Sequence, residues 1–94
     1  MQQISVSDNP ADERYEARLD GTVAGFAAYR HDGPTVVFTH TEVDPAFEGR
    51  GIGSRLVGGA LDDVRARGLM VRPLCGFVRS FITDHPAYAD LVTS

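Results

Sequence analysis

Gly49, Gly51 and Gly53 stand at alternate positions after Asp44-Pro45 and lead into a run of helical periodicity beginning near Ile52. Glycine lets an anion approach the backbone with no Cβ in the way. A helix start adds unpaired N–H groups and the positive end of the helix dipole. Val43 to Leu56 is thus a candidate phosphate cradle, to which Arg50 can add a charge-assisted hydrogen bond. A bare Gly-x-Gly-x-Gly run fits an ordinary tight turn equally well, so its wider setting has to decide.

A second set of residues carries proton-transfer or nucleophilic chemistry. Cys75, the only cysteine, is expected at a strand end just before a helix, where the helix dipole and nearby Arg79 favour a thiolate. A free cysteine is also a common small apolar filler of cores. His40 and Glu42 are two apart on one expected strand, which puts both side chains on one side as neighbours and makes either a candidate general base. A surface pair of structural residues is the plainer reading. Tyr88 offers a hydroxyl donor or, equally, an aromatic pin for the C-terminal segment.

The elements that must position these groups are legible in the pattern. Tyr15, Ala17 and Leu19 alternate with Arg14, Glu16 and Arg18, the mark of a half-buried strand. Asp20-Gly21 is a two-residue hairpin signal, and Thr22 to Arg30 forms the returning strand. After a turn at His31 to Pro34, Thr35 to Val43 completes an antiparallel meander. A helix from Gly51 to Arg67 turns Ile52, Leu56, Ala60, Leu61 and Val64 to one face, and Gly68 stops it. Gly58-Gly59 inside it costs about 1 kcal/mol per glycine relative to alanine, so close packing against the strands is expected there. Leu69 to Leu74 reads as a strand, parallel to Thr35 to Val43 by the right-handed crossover rule. Phe77 to Thr83 and Ala87 to Val92 are expected as short helices on either side of His85-Pro86. The fold class is α/β (α+β), a β-β-β-α-β sheet with short C-terminal helices. Residues 1–12 read as a flexible N-terminal arm and 13–94 as a single domain.

With 94 residues the chain supports one core. No apolar run approaches the ~20 residues of a membrane helix, and the N-terminus lacks a secretion signal, so a cytoplasmic location with no membrane partner is the default. A net charge of −4 argues against nucleic acid as a partner. All nine basic residues are arginine, which excludes lysine Schiff-base chemistry. One cysteine allows no intrachain disulfide and no cysteine-cluster zinc site, and no metal is expected.

Val43-x-Pro45 followed by Gly49-Arg50-Gly51-Ile52-Gly53 resembles the coenzyme-binding motif of the GNAT superfamily of acyl-CoA N-acyltransferases. His40-Thr41-Glu42-Val43, Pro73-Leu74-Cys75 with Phe77, and His85-Pro86-x-Tyr88-x-Asp90-Leu91 extend the resemblance to the small, single-domain GNAT-like proteins, over nearly all of Arg14 to Val92. The resemblance implies a minimal GNAT-like fold and an acetyl-CoA-dependent N-acetyltransferase with coenzyme A as co-substrate. It also implies a small-molecule or protein amine as acceptor. Backbone groups of Glu42 and Val43 would meet the pantetheine arm, and the amides of Gly49, Arg50, Gly51, Ile52, Gly53 and Ser54 the pyrophosphate. Cys75, Glu42 and His40 are then the catalytic candidates. Glu48 stands where the superfamily motif has Arg or Gln. Cys75 and Ile82 fall where an asparagine and the tyrosine acid usually stand, and the N-terminal helices that wall the acceptor site are missing. A non-catalytic acyl-CoA-binding module is the alternative.

Overall fold

Asp20 and Gly21 both take positive φ, 51° and 84°, as a primed hairpin turn demands. They join β2 (Arg14–Leu19) to β3 (Thr22–Asp32), and a turn at Gly33-Pro34 leads into β4 (Thr35–Val43), giving the expected meander. The computed structural model describes residues 3–93, and in it these strands are the centre of one five-stranded sheet. Helix α1 (Ile52–Ala66) crosses over to β5 (Met70–Pro73), which lies parallel to β4, and α2 (Gly76–Asp84) follows. The segment expected as a last helix, Ala87 to Val92, is instead a 3-10 turn over Pro86–Leu91.

The N-terminal arm needs correction. Ile4–Asn9 forms an edge strand, β1, antiparallel to β2 from Ile4↔Leu19 to Asn9↔Arg14, and a 3-10 turn at Pro10–Asp12 joins the two. Residues 1 and 2 of the expected arm lie outside the described residues. Ile4 and Val6 alternate with Ser5 and Ser7 and pack on the core, but two apolar residues are a weak periodic signal. What fixes the strand is distant in sequence. A Cβ added to Gly59 would lie 2.8 Å from Val6 Cβ, so the glycine in α1 is the seat for β1. Two tyrosines tie the same layer together at 2.6 Å each, Tyr15 donating to Asp63 of α1 and Tyr29 to Asp8 of β1.

The sheet has two unlike faces. One carries Tyr15, Ala17, Leu19, Ala27 and Phe38 and is covered by α1 through Leu56, Val57, Ala60, Leu61 and Val64, all buried. On the other, Glu16 is 3% exposed yet ionically satisfied, held by Arg14 and Arg18 at 2.9 Å each and by Asn9 at 3.1 Å. The Asn9 hydrogen bond, then those from both arginines, outweigh burial and hold the Glu16 carboxyl below its ordinary value.

Two measurements test this packing. Gly59→Ala should destabilise the fold by about 1–3 kcal/mol through overpacking against Val6, and the loss should be smaller in a Val6→Gly background, which lacks the Cβ that the new methyl would meet. Additive losses in denaturant melts of the double variant would contradict the contact. For Glu16 the folded state prefers the charged form, so its contribution is fully present above its ordinary value of 4.5 and is lost as pH falls through the depressed folded value. Glu16→Gln should therefore melt lower at neutral pH, with the gap to wild type closing in acid.

Candidate functional site

Strand β4 holds one residue more than β3 opposite it. Ala28 pairs with His40 and Tyr29 with Phe38, leaving Thr39 as a bulge. The bulge shifts the alternation, so Thr41 and Val43 share the α1 face with Phe38 while His40 and Glu42 turn to the other face. Had the strand run regularly, His40 and Glu42 would have followed Phe38 into the core.

At the same point β4 and β5 separate. Their pairing covers Thr35↔Met70 to Phe38↔Pro73, and the N–H groups of Leu74 and Cys75 both donate to Phe38 O at 3.0 Å. Beyond it, β4 from Thr39 to Val43 pairs with β3 alone. Asp44 N–H donates back to Ala24 O at 2.8 Å, and strand alternation then points the backbone of Val43 and Thr41 toward the open side. Glu42, expected with Val43 to offer backbone groups to a ligand, turns its own toward β3.

Cys75 sits at the mouth of this gap as the cap of α2, 9% exposed. Its Sγ lies 3.3 Å from Thr41 Oγ1. Burial pushes the thiol up, but the Thr41 hydroxyl and the backbone N–H groups of Val78, Phe77 and Thr41 together pull it below its ordinary value. Hydrogen bonds, rather than the Arg79 charge, are the main cause. Thr41 was missed in the sequence because only the bulge turns it to the thiol. Ile82, in the place of the usual tyrosine, is buried at 7% in the core and has no proton to give.

The glycine loop divides its labour. Gly49 and Gly51 adopt φ of 80° and 72° with nothing within 4 Å of an added Cβ, so they serve a left-handed turn beside open space. Gly53 serves packing, since a Cβ there would come within 2.6 Å of the Phe77 ring. Gly51 caps α1 with no side-chain hydrogen bond, and no acidic residue stands in the first turn. Gly49, Gly51, Ile52, Gly53 and Ser54 with Val43 line a cavity of 250 Å³, to which Phe47, Glu48 and Phe77 also contribute. Of the residues from Gly49 to Ser54 only Arg50 is not in this wall, its guanidinium lying 5.8 Å from the Phe47 ring centre. Neither Phe47 nor Phe77 was expected to line the site, because an isolated aromatic near a loop has no periodic signature. Glu48 keeps a carboxylate at the rim.

On the opposite face His40 and Glu42 meet, Nε2 to Oε2 at 3.2 Å, both well exposed. The bulge therefore keeps this pair together and sets it across the strand from Cys75. Tyr88 is not in the site. Its hydroxyl donates to Asp62 of α1 at 2.7 Å and its ring packs near Phe81, so it pins the C-terminal turn. Among the described residues no group of His, Cys, Asp or Glu is arranged to hold a metal ion.

The chain as a whole is similar to known proteins. Protein NATD1 of Bos taurus is 31% identical over 85 residues, spanning 88% of this chain and 75% of that protein, and Protein NATD1 of Homo sapiens is 29% identical over 85 residues, spanning 88% and 75%. A GCN5-like protein from Staphylococcus aureus solved by NMR superposes with a TM-score of 0.73 at 18% identity, covering 100% of this chain and 92% of its own. The ribosomal-protein-S18-alanine N-acetyltransferase of Escherichia coli superposes with a TM-score of 0.67 at 14% identity, covering 89% and 76%. At such identities the two structures establish the shared fold. The family model of the GCN5-related N-acetyl-transferases matches residues 14–91, from the first strand of the meander to the turn after α2, and the chain belongs to that family.

Proposed function

We propose that the protein is an acetyl-CoA-dependent N-acetyltransferase acting on an amine. The observation that carries the reading is the gap between β4 and β5, with the backbone of Val43 turned to one side, the Cys75 thiol held by Thr41 at its mouth and the glycine-lined cavity at its end. Coenzyme A is a long chain ending in a pyrophosphate and a nucleotide, and this run of edge, cavity and helix start suits such a shape. Val43 would hydrogen-bond the pantetheine amides, and the N–H groups from Gly49 to Ser54 would hold the pyrophosphate.

Around a thioester placed along that edge, the chain's own groups fall on two sides. Cys75 lies on the α1 side, where the Thr41 and α2 N–H groups stabilise a thiolate. The thiolate can attack the thioester carbonyl, forming a new C–S bond as coenzyme A leaves, and an amine then takes the acetyl group. As a thiol, Cys75 can instead give its proton to departing coenzyme A while the amine attacks directly. In either case Glu42, which has His40 against it on the other face, would take the proton of the attacking amine. The missing tyrosine hydroxyl at Ile82 favours a second reading, a module that binds acyl-CoA without turning it over.

Titration with acetyl-CoA should shift the amide resonances of Gly49 to Ser54. Gly51→Asp should weaken binding about tenfold or more, while Gly51→Asn, which tolerates the same left-handed turn without charge, should bind more tightly than the aspartate variant. Equal affinity in the two would remove the anion cradle.

For Cys75, the pH midpoint of iodoacetamide alkylation should fall below that of an ordinary cysteine and rise in Thr41→Val. Acetyl-CoA alone should add one acetyl group to the protein, and Cys75→Ala should abolish that mass shift if the covalent route is used. Unimpaired turnover in Cys75→Ala would end both roles for the thiol, and binding without turnover by any amine tried would favour the binding module.

A further inference from the structure

A cavity of 390 Å³ lies on the sheet face away from α1, at the end of β4. Its walls include Arg14, Phe26, Glu42, Asp44 and Pro45, and it touches the glycine-lined cavity only at Val43. Gly25 backbone lines this cavity, and an added Cβ there would come within 2.8 Å of Glu42 O, so β3 and β4 lie close together here. The cavity is chemically polarised. At one end are the exposed Glu42 and Asp44, with Asp44 engaged through Oδ1 to Ala46 N–H at 2.9 Å. His40 stands against Glu42 and packs edge-on to Phe26, with ring centres 6.1 Å apart. At the other end the Arg14 guanidinium sits 4.8 Å over the Phe26 ring, and the Arg14, Arg18 and Glu16 cluster keeps one net positive charge.

We infer that this cavity is the acceptor subsite and that it takes a primary monoamine with an apolar body. The inference rests on the acetyltransferase reading and names its substrate class. Glu42 and Asp44 attract the ammonium to the end nearest the open edge of β4, while Phe26, Val23 and Pro45 receive the apolar body. Arg14 repels a second cation at the far end, which sets a monoamine apart from a polyamine. Glu42 then both holds the ammonium and stands ready to receive its proton.

The test uses hexylamine, 1-hexanol and 1,6-diaminohexane as probes in amide-resolved NMR titrations of the whole chain, with acetyl-CoA titrated separately. Hexylamine should shift the amides of Val23 to Phe26 and Val43 to Asp44 and bind more tightly than either other probe. Glu42→Gln, a change at an exposed residue, should weaken hexylamine about two- to fivefold and leave hexanol unchanged. Hexanol binding as tightly as hexylamine, diaminohexane binding more tightly, or hexylamine shifts mapping elsewhere would each overturn the subsite. If acetyl-CoA shifts Gly49 to Ser54 while no amine moves Val23 to Phe26, the subsite falls and the donor reading stands. If the amine shifts its cavity but acetyl-CoA leaves the loop untouched, the donor reading falls instead.

Discussion

The site depends on a single misfit in hydrogen-bond register. Backbone N–H and C=O groups inside a sheet are normally all paired, because burying them unpaired is costly. In β4 the extra residue Thr39 breaks that rule where β5 leaves, so the strand keeps its pairing with β3 while its other edge opens toward the gap. Phe38 O takes two N–H groups, from Leu74 and Cys75, and closes the ladder without an orphan carbonyl. The same residue inversion sends Thr41 toward the thiol and His40 with Glu42 to the opposite face. The open edge, the contact of Thr41 with the Cys75 thiol and the exposed His40 and Glu42 pair are therefore consequences of one local event.

That event needs a rigid frame, which a chain of 94 residues has little core to provide. The frame comes from α1 laid closely on the sheet. Gly59 admits Val6, the Tyr15 and Asp63 pair joins helix to strand, and Gly53 lets Phe77 of α2 lie over the helix start. Each glycine in α1 lowers helix propensity, and the closer approach of neighbouring elements offsets the loss. The position of the loop relative to Cys75 is set by this packing, since α1 carries one and α2 the other.

Charge is distributed to match. The sheet face without a helix holds the buried carboxylate of Glu16 between two arginines, while Glu42 and Asp44 at the far end remain exposed. An acidic mouth suits a cationic amine, whereas the α1 start, bare of acidic residues in its first turn, suits an anion. Strand β4 separates the two regions, and Glu48 is the exception, a carboxylate at the rim of the glycine-lined cavity.

The alternation in Arg14 to Leu19, the Asp20-Gly21 turn, the apolar stripe of α1 and its glycine stop are local patterns, and the sequence alone sufficed for the meander, the helix and the parallel strand after it. The string from Val43 to Leu56 likewise announced a glycine turn entering a helix, because turn conformation and helix capping are decided by neighbours in the chain. Tertiary structure decided the rest. The strand Ile4–Asn9 forms because Gly59, fifty residues away, leaves room for Val6. Tyr88 became a pin because Asp62 lies within reach of its hydroxyl. Thr41 met Cys75, and His40 with Glu42 parted from it, because pairing with β3 absorbs one extra residue at Thr39. Register across strands is set by the summed packing of partners distant in sequence, so a period-two pattern tells which residues share a side only until a bulge reverses it.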